Sequence, residues 1–157
     1  LNSEIDIAFL GSHQEESLCY MKRISKPEIV MMVNKKTPLA SKEKISGIDF
    51  RNSTLLHREL GSETRSLLDQ KLDSFALRPK RVVYLGSREG AISAVEQNLG
   101  ISPVSIEEFN RSSEIKTMTF EEFQITGEVY IVCLRSRMHL PIIRETLDFL
   151  EKSPLLD

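Results

Sequence analysis

Between Thr54 and Gly100 one step occurs twice: an apolar strand, a Gly-Ser pair and an amphipathic helix. In the first copy Thr54-Leu55-Leu56-His57 reads as a strand, and Gly61-Ser62 opens a helix with Glu63 in its first turn. Leu68, Leu72, Phe75 and Ala76 then recur at helical spacing on one face, and Pro79 stops the helix. In the second copy Arg81-Val82-Val83-Tyr84-Leu85 is the strand, rich in β-branched and aromatic residues. Gly86-Ser87 is the turn, Ile92, Val95 and Leu99 form the apolar face, and Gly100 suits the helix end. Strands alternating with helices bury both faces of a sheet, so the chain is α/β, with a parallel or mixed sheet covered by helices. Sites in such folds lie at the carboxyl ends of strands, where helix N-termini point.

The rest of the chain fits this plan. Ile5–Leu10 reads as a short buried strand closed by Gly11, and the polar segment Ser12–Ser17 as a loop. Ile29-Val30-Met31-Met32-Val33 is a second apolar run, ended by Asn34-Lys35-Lys36-Thr37-Pro38; Ser46–Phe50 suits one helical turn, and Ile101–Val104 a short strand. Glu107–Gln124 contains one strand near Ile115–Met118, and Glu128–Leu134 forms another. The last helix starts near His139-Leu140-Pro141, proline being tolerated in a first turn, with Leu140, Ile143, Leu147 and Leu150 as its stripe.

Composition removes several classes. With 21 Lys and Arg against 23 Asp and Glu, the net charge is −2, and no basic run marks this segment as nucleic-acid-binding. Cys19 and Cys133 are far apart, beside apolar residues, and read as two buried, reduced thiols of a cytoplasmic protein. His13, His57 and His139 lack ligand spacing, so neither a metal nor a cofactor is expected. No apolar run is long enough for a bilayer and no charged-then-apolar leader opens the chain. The beginning, Leu1-Asn2-Ser3-Glu4 running straight into a strand, reads as that of a fragment.

The two turns are the candidate site. Free backbone N–H groups and the helix dipole at each N-terminus favour an anion. The hydroxyls of Ser62, Thr64 and Ser87 are adjustable donors, and Arg65, Arg88 and Arg58 supply charge and a bidentate fork. Taken singly, each turn is ordinary capping, and Arg88 beside Glu89 is a solvated charge. The pair together points to a pocket for a small anion. Neither turn has the glycine spacing of a P-loop or a dinucleotide fingerprint. His57 lacks a nucleophile elbow and reads as a partly buried packing residue. Glu107-Glu108 and Glu121-Glu122 read as solvated faces, since sequence neighbours point apart. No catalytic residue is expected.

Five segments, in order, resemble one family. Ile5-Asp6-Ile7-Ala8 is similar to the opening "DLAI" strand of LysR-type effector-binding domains, and Thr37-Pro38-Leu39-Ala40 to their "HPLA" step, with Thr37 in place of histidine. Gly61-Ser62-Glu63-Thr64-Arg65 resembles their "GSGTR" turn. Gly86-Ser87-Arg88-Glu89 resembles the second turn, and Leu99-Gly100-Ile101 with Pro103 the "GLGI" ending and the proline beyond it. The Ser87-Arg88 turn is also similar to a subgroup associated with phosphonate metabolism. The resemblance spans about Ile5–Leu150. It implies a two-lobed α/β fold like type 2 periplasmic binding proteins, with one lobe at about Lys36–Ser105. The other lobe, from residues 1–35 and 106–157, is then truncated at its N-terminal side. It further implies a winged helix-turn-helix upstream, through which alone DNA would be bound, two-fold pairing into dimers or tetramers, and a cytoplasmic location. The implied effector-binding set is Ser62, Thr64, Arg65, Gly86, Ser87, Arg88 and Pro103.

The expected function is therefore ligand sensing in a LysR-type transcription factor: a small anionic effector shifts lobe arrangement, and with it the geometry of the oligomer on DNA. A solute-binding protein of the same fold is the alternative, opposed by the lack of an export leader and by the free cysteines. An α/β enzyme would need an acid–base pair or cofactor loop, and the sequence offers neither.

Overall fold

Strand and helix alternate in the order β1 (Ile7–Leu10), β2 (Cys19–Ser25), β3 (Glu28–Asn34), α1 (Gly47–Arg51), β4 (Thr54–His57), α2 (Glu63–Ser74) and β5 (Arg81–Tyr84). There follow α3 (Arg88–Glu96), β6 (Ser102–Ser105), β7 (Ile115–Met118), β8 (Ile125–Thr126), β9 (Val129–Leu134) and α4 (Pro141–Glu151). The computed structural model describes residues 5–11, 16–110 and 112–151. The expected features at Leu1–Glu4, at His13 and in most of the Ser12–Ser17 loop lie outside them.

The chain divides into two compact units, one the continuous stretch Glu28–Gly127, the other built from the two flanks. Sequence reasoning set the edges of the central unit at Lys36 and Ser105. The unit is longer because β3 is its middle strand, pairing antiparallel with β6 on one side and with β7 and β8 on the other. Cutting at Lys36 would leave β6 without β3, and cutting at Ser105 would leave β3 without β7 and β8.

In this unit β4 and β5 are parallel, and Leu56 N–H donates to Ile101 O at 2.8 Å while Ile101 N–H donates to Thr54 O at 2.9 Å. The strands are therefore mixed in direction. Along β3 the side chains alternate between two cores. Ile29, Met31 and Val33 pack with Leu68 and Leu72 of α2, whereas Val30 and Met32 pack with Val95 of α3 and Val104. Both faces are covered, so the strand reads as an unbroken apolar run. Asn34, buried at its end, donates from Nδ2 to Val95 O and Glu96 O at 3.2 and 2.8 Å and accepts Lys36 N–H on Oδ1 at 2.8 Å. It thereby ties the C-terminal end of α3 to β3, adding to the Asn98 N–H that Val95 O already accepts at 2.9 Å.

The two long helices of this unit end by backbone conformation, not where the sequence suggested. Helix α2 stops before Pro79: Ala76 takes a left-handed φ of 49°, and Leu77 N–H closes on Leu72 O at 2.8 Å. Ala76 and Phe75 thus lie past the helix and are exposed, although Phe75 still packs its ring on Phe123 with centroids 4.7 Å apart. A β-carbon in the left-handed region costs about 1–2 kcal/mol. Ala76→Gly is therefore expected to raise stability by about 0.5–1 kcal/mol in urea titration, after the greater unfolded-state freedom of glycine is deducted. An unchanged or lower midpoint would refute this.

Helix α3 ends at Glu96, and two residues on, Asn98 turns the chain away with a φ of 58°, with Leu99 N–H on Ala94 O at 3.0 Å; Leu99 is 63% exposed and not part of the apolar face. Gly100, expected as the helix stop, has another role. A β-carbon there would lie 2.4 Å from Thr54 O and 2.9 Å from Leu56 Cγ. Only glycine lets the chain pass so close to β4 on its way into β6.

The flanks form a three-stranded antiparallel sheet in the order β1-β9-β2. Strand β1 is an edge and not a buried strand: Phe9 is 58% and Leu10 43% exposed. Strand β2 was not foreseen, because Lys22 and Arg23 interrupt its apolar residues. Cys133 is buried, which raises its thiol pKa, but Cys19 is only half-buried, correcting the expectation of two buried thiols. Cys19 stands opposite Leu134 and Tyr20 opposite Cys133, so the two thiols leave opposite faces of the sheet. Helix α4 begins at Pro141, with Ile143 fully buried.

Candidate functional site

The parallel pairing of β4 with β5 determines where the two turns emerge. His57 is in register with Tyr84, and Leu85 N–H donates to His57 O at 2.8 Å. Both strands therefore end at one edge of the sheet, and each leads through its Gly-Ser pair into a helix. Gly61 takes a φ of 90°, which glycine alone adopts readily, and turns the chain into Ser62. Ser62 Oγ accepts Arg65 N–H at 3.4 Å, and Ser87 Oγ accepts Gly90 N–H at 3.0 Å, so both serines are N-caps. Capping uses their acceptor sites and leaves each hydroxyl hydrogen able to donate.

The N-terminal residues of both helices line a single depression of about 510 Å³. It contains Ser62, Thr64, Gly86, Ser87 and Arg88, five of the candidate residues, together with Arg58, Glu59, Glu63, Glu89 and Glu108. Arg65 and Pro103 are not among its walls. Arg65 points across α2: Nη1 donates to Arg58 O at 2.8 Å, Nε lies 3.5 Å from Asp69 Oδ2, and the guanidinium stands 5.1 Å over the Tyr84 ring. Pro103 is buried in β6 opposite Met31. His57 is buried beneath the turn, with Nε2 2.8 Å from Asp69 Oδ1 and Nδ1 without a hydrogen-bond partner.

Both arginines of the depression are engaged. Arg58 donates from Nε and Nη2 to the two carboxylate oxygens of Glu59 at 2.8 and 2.6 Å. That guanidinium, helped by the residue's own backbone N–H, holds the Glu59 carboxyl down to about 2. Arg88 Nη1 lies 2.9 Å from Glu108 Oε2, and its Nε 3.4 Å from Glu89 Oε1. Its own backbone N–H, and then Arg88, lower the Glu89 carboxyl. Glu63 and Glu89 sit in first helical turns, where acidic side chains offset the dipole. The depression thus pairs donors with more carboxylates than the two turns alone suggested.

Glu59 and Glu108 are the residues that sequence reasoning missed. Glu107-Glu108 read as a solvated face, yet Glu108 reaches Arg88. One signal was present: the pair directly follows the carboxyl end of β6, where such folds place their sites. Glu122, read the same way, accepts Gly47 N–H at 2.7 Å and so caps α1 from outside. Among the described residues no group of three or more His, Cys, Asp or Glu is placed to hold a metal ion. Among them, too, no helix is long and apolar enough to cross a membrane.

The family model described as LysR substrate binding domain matches residues 1–154. The chain belongs to that family. It is 27% identical over 146 residues to the transcriptional regulator CysL of Bacillus subtilis, covering 91% of this chain and 47% of the relative. It is 28% identical over 152 residues to a probable RuBisCO transcriptional regulator of Trieres chinensis, covering 87% of this chain and 49% of that protein. The chain thus spans about half the length of these relatives, which are described as transcriptional regulators. The regulatory domain of Synechocystis CcmR, solved in complex with 2-PG, superposes with a TM-score of 0.82 at 25% identity, covering 95% of this chain and 73% of that one. The fold is the two-lobed, periplasmic-binding-protein-like α/β fold of LysR regulatory domains.

Proposed function

We propose that this chain is the effector-sensing part of a LysR-type transcription factor and that the depression between the two Gly-Ser turns takes the acidic group of a small effector. The observation that carries this reading is the convergence of two helix N-termini and Arg88 on one depression. The CcmR domain, similar over most of its length, was solved with 2-PG, which supports a small ligand here. The contacts available are the Ser62, Thr64 and Ser87 hydroxyls, the backbone at Gly86 and the Arg88 guanidinium. Arg65 holds the Arg58 carbonyl and orients the wall. Ligand binding would act on transcription through two-fold association of chains in the cytoplasm, and through a DNA-binding segment supplied by a longer protein. Energetically, the ligand must favour one arrangement of the assembly over another.

Charge-assisted hydrogen bonds contribute about 1.5–3 kcal/mol each. Arg88→Ala removes that contact and also leaves the Glu89 and Glu108 carboxylates without their cation beside the anion, so it is expected to weaken binding of an anionic effector about tenfold or more. The ligand should be drawn from a thermal-shift screen of phosphonates, carboxylates and sulfonates. Calorimetry gives the affinity and urea titration the stability, which should change by less than about 1 kcal/mol for an exposed ion pair. Unchanged affinity in the variant would remove the support for this pocket.

A further inference from the structure

We propose that Glu108 is a specificity-determining residue of this depression: its carboxylate occupies, on Arg88, the place that an anionic group of the effector takes. The inference rests on the effector reading above. Glu108 comes from the turn after β6, whereas Arg88 opens α3, so the 2.9 Å contact joins two separate elements across the depression. The other arginine of the depression offers no alternative, because Glu59 takes its Nε and Nη2 at once. Arg88 is held differently, by one short contact to Glu108 and a longer one of 3.4 Å to Glu89. It is the cation that can be transferred at least cost. Its partner is 52% exposed, so the released carboxylate can return to water.

The consequence is selection by exchange. A ligand anion gains Arg88 only by displacing Glu108, and the net gain is the difference between two carboxylate-type contacts rather than one whole contact. A bare anion then binds weakly, since Glu59, Glu63, Glu89 and the freed Glu108 all repel it. An anion with an adjacent hydroxyl or ammonium donor binds better, because that donor pairs with Glu108 after the exchange. The ligand class that fits is a hydroxy- or amino-substituted acid.

The test is calorimetry with inorganic phosphate and with glycolate on the 157-residue chain and on Glu108→Gln. Glutamine keeps the shape and removes the charge. The expected result is a gain of tenfold or more for phosphate in Glu108→Gln, lost again in the double variant with Arg88→Ala. The gain for glycolate should be smaller, because its hydroxyl already uses the carboxylate. Equal phosphate affinity in the parent and Glu108→Gln, with Arg88→Ala weaker than both, overturns the role of Glu108 and leaves the anion site standing. Weaker binding in Glu108→Gln also overturns it, by making Glu108 a helper. No phosphate binding to either protein overturns both readings.

Discussion

Replacing Phe50 by alanine should cost about 3–5 kcal/mol, the range for a large aromatic removed from a packed core. Phe50 is fully buried in α1, a helix of five residues that cannot persist by its own hydrogen bonds. Its ring meets Phe120 edge-on at 5.5 Å, and Phe120 stacks on Phe123 at 4.5 Å. Removing Phe50 therefore opens a cavity beside a ring cluster and takes away the anchor of α1, which is otherwise tied through polar contacts such as the Ser46–Asp49 capping box, the Lys42–Asp49 ion pair and the Glu122 contact at Gly47. Against a total stability of about 5–15 kcal/mol, such a loss is large. The thermal midpoint should fall by about 6–20 °C. A loss below about 1 kcal/mol in urea titration, far under the usual cost of this truncation, would show that the core collapses freely around the gap.

The second large effect is expected from a single added methyl group. Gly100→Ala places a carbon 2.4 Å from the Thr54 carbonyl oxygen, and that atom is backbone, held in the β4 ladder beside Ile101. It cannot rotate away as a side chain would. Either β4 or the entry to β6 must shift, and overpacking of this kind costs about 1–3 kcal/mol. Gly86→Ala is the matched control, because nothing lies within 4 Å of a β-carbon there. The control should move the midpoint by less than about 0.5 kcal/mol. If both variants behaved alike, the close approach at Gly100 would not be what requires glycine.

Much of the central unit could be read from the residues. Thr54–His57 matches β4 throughout, and the turns at Ser62 and Ser87 cap helices as expected, because strand composition and capping are local properties. The unbroken apolar run at Ile29 marked the place of β3, and its burial on both faces accounts for the lack of a polar residue within it. The helix ends were harder. Ala76 and Asn98 stop α2 and α3 by adopting φ values that their identities only permit, while the more conspicuous Pro79 and Gly100 lie beyond. Strand β2 escaped because its partner is distant in sequence and its residues are half-buried. For the site, the helix N-termini were readable and the counterions were not. The pairing of Arg88 with Glu108 is a fact of tertiary placement; the position of the two glutamates after β6 hints at the site but not at the partner.

The interrupted flank unit has a bearing on the order of events during synthesis. Arg23 meets Glu128 at 2.9 Å although they stand 105 positions apart, and among the described residues every pairing made by β1 and β2 waits for β9 to arrive. The central stretch, by contrast, holds all the partners of β3 within itself and can condense as soon as β8 has left the ribosome. Where it enters and leaves, Glu28 stands opposite Thr126 while Ser25 stands opposite Val129. A folded centre thus brings the two flanks side by side and removes most of the loop-closure entropy from their pairing. If the centre condenses first, the flank sheet closes between ends already held together, and a lesion in the centre, such as Gly100→Ala, should delay a tryptic-resistant β9 as well as weaken its own unit.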